Sequence, residues 1–489
     1  MMPSPFLRFI ENRFARRPPK YLSRLTRVGD RLKDGTRVLV VGAGIAGSAF
    51  ARQLLRLTRR EGIRAEVVLL NGRSCNYCGG LITGLSARTF EGLFDLPVPE
   101  DRILTQIHEV IYSNPAGFLS VPFHAQLSSI LRTSRFGELG FDDAVRERIT
   151  QGLSPNESNQ LKLIEPARVL SMSPPTDDAP ALVKFVRSGG REETLRGDVL
   201  VVATGLKSLG SRLMTDFAAT SGYRPPDLMP AGVTEIDVSS ARLNRLEHGI
   251  LVIDGVIPNC VVAMIPKRKN WLTLTSLGKT LTFEDLNLVF SQEAVKRFIE
   301  LDQPGNCLRC HTICRASVFV SPARHVVGRG WLVIGDLTGR GRVLKDGYFA
   351  ALDGADLAAN VLVGGGLGEA NLKANYEGRL NRGLSDNAAG IALFKLNARI
   401  NRTGWFQKLL VAASASEKEE DPCGGPIHTA IRAINTGELS YRWIWALFLW
   451  GFARYAARWP LRRLLRVVGW GRVSRGDPSP RGSTLHPGD

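Results

Sequence analysis

The side chains best suited to chemistry in this sequence are thiols in two clusters. Cys75 and Cys78 stand in SCNYCGGLI (residues 74–82), and Cys307, Cys310 and Cys314 in NCLRCHTICRAS. The two CxxC pairs have the ligand spacing of a structural zinc site or an iron–sulfur cluster. Cys75, Cys78, Cys307 and Cys310 therefore form one candidate metal set, with His311 as a further ligand. The same thiols suit a dithiol relay, or they pack as small buried apolar groups. Gly79 and Gly80 follow Cys78 directly and allow a close backbone approach, which makes this segment a candidate cofactor-pocket wall. The seven cysteines are an odd number and are clustered rather than spread as a framework, which points to a reducing compartment. Which chemistry applies depends on the elements that position these thiols.

Residues 37–47, RVLVVGAGIAG, run a buried strand into a glycine turn. A helix follows, SAFARQLLRLTRR, with apolar Phe50, Leu54 and Leu57. Strand, glycine turn and helix in that order are the context of a dinucleotide-binding turn. Gly42 makes the tight turn, Gly44 lets the backbone approach a pyrophosphate, and Gly47 lets the helix pack on the strand. The helix N-terminus presents free N–H groups to the phosphates. The second strand, AEVVLL (65–70), ends at Asn71, where an acid is expected to hold the adenosine ribose hydroxyls. Asn71 can still donate and accept a hydrogen bond, and Arg73 stands nearby. Two later strands end in similar fashion. GDVLVVATG (197–205) stops at Thr204 and Gly205, and WLVIGDLTGRGRVLKDG (331–347) has Gly335 and Asp336 at its strand end. A helix rich in small residues, GYFAALDGADLAANVL, then starts at Gly347. Singly, these read as a core strand and a helix cap. Together, three strand ends converging on one dinucleotide site indicate FAD rather than NAD.

This set of motifs in this order resembles the glutathione-reductase-like flavoprotein superfamily, in its hydroxybenzoate-hydroxylase-like branch. The resemblance implies that Asp336 lies on the ribityl chain. It also implies that the helix from Gly347 points its N–H groups at the flavin pyrimidine edge, where negative charge gathers on reduction. Within that branch, CGGLI resembles the Cys-Gly-Gly element of the geranylgeranyl reductases, and RVLKDGYFAALDGADLAA resembles their Lys-Asp-Gly helix start. ILRTSRFGELGFDDAVRERI, with Arg132 and Arg135 ahead of Phe141-Asp142, resembles their arginine-plus-FD segment. The resemblance covers roughly residues 36–365. Those enzymes hydrogenate isolated C=C bonds of isoprenoid lipids and contact membranes. Such a reaction needs hydride from flavin N5 and a proton from a nearby acid. By this match Cys78 is the candidate proton donor or shaping contact, and Arg132 joins the cofactor-binding set. Lys345 is a candidate charge beside the flavin, or a solvated surface lysine.

The expected architecture is α/β: a Rossmann-like FAD-binding domain, an antiparallel-sheet substrate domain and C-terminal helices. Residues 36–210 and 326–365 make the first of these, and 211–325 the second. GILVIDG, CVVAMIP and NWLTLTSLG alternate like strands of an antiparallel sheet, while 284–301 and 366–420 read as helical. Residues 1–35 and 421–489 are basic ends. Two thirds of the net charge of +18 comes from residues 1–35 and 437–489. In the C-terminal tail the charge has aromatic company. Residues 443–453, WIWALFLWGFA, are apolar without a break but shorter than the ~20 residues of a membrane span. Trp and Arg beside a short apolar face suit a helix lying in the membrane interface, and a helix packed on the body is the alternative. The N-terminal FLRFIENRFARRPPKYLSRL lacks the apolar run and cleavage site of a signal peptide. No recognition motif for nucleic acid accompanies the charge.

These features lead us to expect a cytoplasmic flavoprotein, peripheral to the inner face of a membrane, that reduces C=C bonds of an isoprenoid or other lipid. The alternatives are a flavin monooxygenase or halogenase acting on an apolar substrate, and an electron-relay flavoprotein with a Cys-ligated metal or cluster. The sequence shows no second glycine-turn unit for NAD(P)H, so the electron donor is unnamed.

Overall fold

Val38 to Val41 have no solvent contact to speak of, and all are aliphatic. A strand with that composition belongs inside a parallel sheet covered on both faces. In a computed structural model of the protein, this strand, β1 (Arg37–Val41), pairs in parallel with β2 (Glu66–Leu70) on one side and β12 (Val199–Val202) on the other. β8 (Leu161–Ile164), β19 (Trp331–Val333) and the short antiparallel β18 (Val327–Gly328) complete the order β18-β19-β12-β1-β2-β8. The ends of β1, β12 and β19 are thereby neighbours, although their motifs are far apart in the chain. The structure describes residues 31–72, 78–123, 125–154, 160–238, 246–268, 271–299, 301, 307–342, 347–383, 386–400, 403–420 and 424–467.

Helix α1 (Ile45–Arg60) packs against α2 (Gly84–Phe94), α3 (Phe141–Glu147) and, most extensively, α4 (Gly347–Gly365). The small buried residues Ala351, Ala355, Ala358 and Ala359 on α4 allow the close approach. A three-stranded meander, β9 (Arg168–Ser173), β10 (Ala181–Val186) and β11 (Glu192–Gly197), leads into β12.

The second large sheet has seven strands. Its order is β17 (Cys314–Phe319), β13 (Leu228–Asp237), β16 (Trp271–Leu277), β15 (Val261–Arg268), β14 (Gly249–Asp254), β5 (Glu109–Asn114) and β6 (Gly117–Pro122). All pairs are antiparallel except β14 with β5. This sheet thus recruits β5 and β6 from the stretch that the sequence boundaries place with the first domain. A small sheet of β3 (Gly79–Thr83), β7 (Leu127–Leu131) and β4 (Ile103–Gln106) brackets β5 and β6 in sequence, with β3 against β13 and β16.

The stretch 284–301, expected as one helix, is helical at Phe283–Phe290 and again at Glu293–Lys296. A Thr282/Asp285 capping box starts the first piece. The Ser291 hydroxyl and the Gln292 side-chain amide both donate to the Leu288 carbonyl, so side chains take the acceptor that the next turn would use.

Four C-terminal helices follow: α5 (Asn387–Ile400), α6 (Gly404–Glu420), α7 (Pro426–Thr436) and α8 (Tyr441–Val467). Among the described residues no helix is long and apolar enough to cross a membrane. In α8 the apolar run is divided by function. Tyr441, Ile444 and Leu447 are buried against neighbouring helices, whereas Trp445, Phe448, Leu449 and Phe452 line a cavity. The Arg342 guanidinium stacks on the Tyr441 ring at 4.3 Å and donates to the carbonyls of Gly437 and Leu439. This ties the loop after β19 to the C-terminal helices.

Candidate cofactor and substrate cavity

At the end of β1 the backbone leaves no room for side chains. Gly42 has φ +111°, and a Cβ there would sit 2.4 Å from the Ala203 carbonyl oxygen. A Cβ on Gly47 would lie 1.9 Å from the Gly42 oxygen, so the turn and the helix are in direct backbone contact. Gly44 differs: a Cβ there meets no protein atom within 4 Å. Its missing side chain leaves open space in front of the α1 N-terminus, whose first turn has no side-chain cap. Free N–H groups facing open space suit an anionic diphosphate.

This space belongs to a cavity of about 1740 Å³. Its wall brings together Gly42, Gly44, Asn71, Arg132, Thr204, Gly205, Gly335, Asp336 and Gly347 from the sequence motifs. Gly47 stands behind the turn, as its packing on Gly42 requires. The Thr204 and Ser208 hydroxyls share a hydrogen bond of 2.7 Å. Gly347 starts α4 close to the Asp336 carboxylate, 3.9 Å from its position for a Cβ.

The acid absent from the end of β2 is supplied by the adjacent strand. Asn71 Nδ2 donates to Glu165 Oε1 at 3.0 Å, and Arg146 Nε pairs with Glu165 Oε2 at 3.2 Å. All three residues line the cavity. Glu165 directly follows β8, so only the pairing of β8 with β2 makes it equivalent to the expected carboxylate. The sequence alone marks it by nothing more than a strand ending in Glu-Pro.

A second polar corner surrounds Arg132. Its guanidinium lies 3.4 Å from Asp142 Oδ2, and the Tyr348 hydroxyl donates to Asp142 Oδ1 at 2.5 Å. Arg132 Nε is buried with no hydrogen-bond partner among the described residues. Burial pushes the Asp142 and Asp336 carboxyls and the Tyr348 phenol upward. Burial alone would lower the Arg132 value, but the charge of Asp142 holds it above normal. The corner is a fixed cation between two carboxyls that burial drives toward protonation.

Cys78 does not line the cavity. Gly79 and Gly80 do, and Thr273 packs so close that a Gly79 Cβ would be 2.3 Å from its methyl. The Cys78 thiol, expected at the cofactor, lies behind that wall with Leu131 and Trp271. Cys78 stands just before β3 begins and packs on Leu131 and Trp271 instead of facing the cavity. Behind the wall, Lys267 Nζ donates to the Cys78 carbonyl at 3.2 Å and to Glu235 Oε1 at 3.0 Å. The Thr273 hydroxyl contacts the same carboxylate at 3.0 Å. Lys267 and Glu235 are wholly buried, and burial raises the carboxyl and lowers the ammonium.

Each of the Cys78 and Cys310 thiols is the largest influence on the other's titration. The Cys78 thiol, aided by the nearby Arg135 cation, pulls Cys310 down to about 7. The Cys310 thiol and burial push Cys78 up. Among the described residues no group of three or more His, Cys, Asp or Glu side chains is placed to hold a metal. Cys75 of the candidate metal set and the candidate Lys345 lie outside the described residues.

Past the cradle, the cavity runs between the seven-stranded sheet and the C-terminal helices. Val252, Ala263 and Ile265 line one side, and Phe394, Phe448 and Phe452 the other. Among the polar groups between them, the buried Asp254 carboxylate accepts from the Tyr112 hydroxyl at 2.6 Å and from the Asn397 amide. Leu396 and Leu449 line the cavity yet are 38% and 64% exposed, so it reaches the surface between α5 and α8. Trp405, 65% exposed, stands beside Phe406, which also lines the cavity. Lys395, Arg399 and Lys408 are exposed on the same helices, and no acid occurs between Asp386 and Glu417.

No protein-family model matches the chain, and no curated protein does. Solved structures do match. A flavoprotein/dehydrogenase from Cytophaga hutchinsonii aligns with a TM-score of 0.54 at 13% identity, over 83% of this chain and 93% of its own. A flavin-dependent brominase gives 0.54 at 16% identity, over 82% and 94%. A geranylgeranyl bacteriochlorophyll reductase-like protein from Thermoplasma acidophilum gives 0.53 at 14% identity, over 89% and 100%. The chain therefore has the flavoprotein fold, with its parallel sheet, antiparallel sheet and C-terminal helices. At these identities the likeness is one of fold.

Proposed function

We propose that the chain is an FAD-dependent oxidoreductase that reduces a C=C bond of an isoprenoid or similar lipid. The observation that carries this reading is the continuity of the cavity. About 1740 Å³ exceeds the ~300–1,000 Å³ of a pocket for one ligand. One end offers backbone N–H groups and hydroxyl-binding carboxylates, and the other offers aliphatic and aromatic walls.

The residues present fit FAD. The α1 N-terminus and the open space at Gly44 would hold the pyrophosphate, Glu165 with Asn71 the adenosine ribose, and Asp336 the ribityl hydroxyls. The N-terminus of α4 and the Arg132 cation favour negative charge at the ring system. Bound there, the flavin supplies hydride chemistry. The chamber supplies a proton at Tyr112 Oη, held in place by Asp254. The substrate enters from a membrane surface. Leu396, Leu449 and Trp405 present an apolar mouth, and the surrounding cations match anionic headgroups.

The brominase match, as strong as that to the dehydrogenase, favours oxygen-dependent chemistry on the same frame as the second reading. One experiment separates the two. Purified protein is tested for flavin absorption, then incubated as the reduced protein with a polyprenyl lipid in detergent without oxygen. Gain of two hydrogens by the lipid supports the reductase. Oxygen uptake coupled to NAD(P)H oxidation, with no anaerobic product, supports the monooxygenase or halogenase. Protein that neither carries nor takes up flavin overturns both.

A further inference from the structure

The thiols behind the cavity wall form a chemical site of their own. Cys78 and Cys310 are remote in sequence, yet Lys267 Nζ donates both to the Cys78 carbonyl and to the Glu235 carboxylate, and the Glu235 carbonyl accepts from the Arg309 amide, so the two cysteine segments meet at one point and each thiol is the strongest influence on the other. Both segments are anchored. The Arg309 amide donates to the Glu235 carbonyl at 2.9 Å, and Leu308 bridges to Ile236, so the Cys310 loop is held along β13. The Cys78 carbonyl accepts from the Arg132 amide at 2.9 Å and from Lys267 Nζ. Trp271 packs on Cys78 and carries the Arg309 guanidinium 4.2 Å above its ring. The two thiols differ in access: Cys78 is 4% exposed, whereas Cys310 is half-buried.

We propose that Cys310 and Cys78 form a reversible disulfide, with Cys310 as the attacking thiol and Cys78 as the buried resolving thiol. The oxidant is a low-molecular-weight disulfide. The Cys310 thiolate attacks one of its sulfurs, forming a mixed disulfide and expelling one thiolate. The Cys78 sulfur then attacks the Cys310 sulfur, and its proton goes to the second departing thiolate. Two protein thiols lose two electrons, and one small disulfide becomes two thiols. The Arg135 cation favours the Cys310 thiolate, while Glu235 and Cys314 oppose it.

The bond has a structural consequence. Cys78 leads directly into Gly79 and Gly80, and the Cys310 loop leads into β17, whose Ala316 to Phe319 line the cavity. Oxidation staples these two walls together. The site stands apart from the flavin reading, because its test reads thiols only.

The full-length protein is reduced, exposed to oxidised glutathione, blocked with N-ethylmaleimide under denaturing conditions and digested for mass spectrometry. The expected product is a near-stoichiometric Cys78–Cys310 cross-linked peptide that dithiothreitol removes. Cys78→Ser should leave one glutathione on Cys310. Cys310→Ser should leave Cys78 free of glutathione. A wild-type cross-link from Cys310 to Cys307 or Cys314 would overturn the pairing. So would the absence of any cross-link, or a Cys78→Ser protein with no glutathione on Cys310.

Discussion

The two ends of the cavity are built on opposite principles. The cradle is made of backbone: Gly42, Gly44, Gly205, Gly335 and two helix N-termini surround a space defined by missing side chains. The chamber is made of side chains, drawn from a sheet and four helices, around a single carboxylate knot. A backbone site fails when a Cβ is added. A side-chain site responds to volume and polarity, and tolerates swaps that keep both.

Substitutions can break or sharpen that contrast. The largest effect is expected at Gly44→Val. Its Cβ meets no protein atom within 4 Å, so the fold should survive with its melting temperature little changed. Flavin retention should fall by about 100-fold or more, because the side chain occupies the pyrophosphate space. Gly42→Ala should instead melt early, at a cost of about 2–4 kcal/mol, because φ is +111° and Ala203 blocks the Cβ. Thermal melts with flavin quantitation on both variants check this, and equal melting loss in the two would dissolve the distinction.

Phe448→Asp, in the chamber, should keep the flavin and lower turnover of an apolar substrate by about 10–100-fold, since it places a charge on an apolar wall. Phe448→Leu should stay within about 3-fold. Steady-state kinetics beside absorption spectra measure both. A smaller change is expected at Glu165→Gln. It keeps the shape but removes the charge of one acceptor, and should weaken flavin binding about 10-fold. A titration of flavin-stripped protein reads that value.

The least invasive probe is pH. Cys310 sits near 7, so its thiolate is half formed there and lost as pH falls. Its alkylation rate should drop about tenfold per unit below pH 6 and level off above 8. Removing the Cys78 thiol as Cys78→Ala should move the midpoint upward, since the neighbouring Cys78 side chain is the main cause of the low value. An unmoved midpoint would mean that Arg135 and not the Cys78 thiol sets it.

Much of the cradle was legible because its chemistry is local. A strand, three glycines and a helix start lie within a dozen residues, and each glycine serves the segment it stands in. The carboxylate at Glu165 was not legible, because β8 becomes the neighbour of β2 only when the sheet assembles. Tyr348 escaped notice for a similar reason: its hydroxyl matters through Asp142, some two hundred positions earlier in the chain. The apolar run in α8 was visible as a run, but its division between core and cavity depends on which helices it meets.

The cysteines show the same boundary most clearly. The amino-acid order alone determined that thiols cluster at two places and that one cluster adjoins a glycine pair. Tertiary structure decided that Cys78 turns away from the cavity, because it packs on Leu131 and Trp271 while Thr273 occupies the space over Gly79. It also decided that Cys78 meets Cys310, because the Glu235–Lys267 pair and the Arg309 amide bring β3 and the later loop to one point. Residue types and short spacings are set by the chain, but distances between remote segments exist only once the sheets have packed.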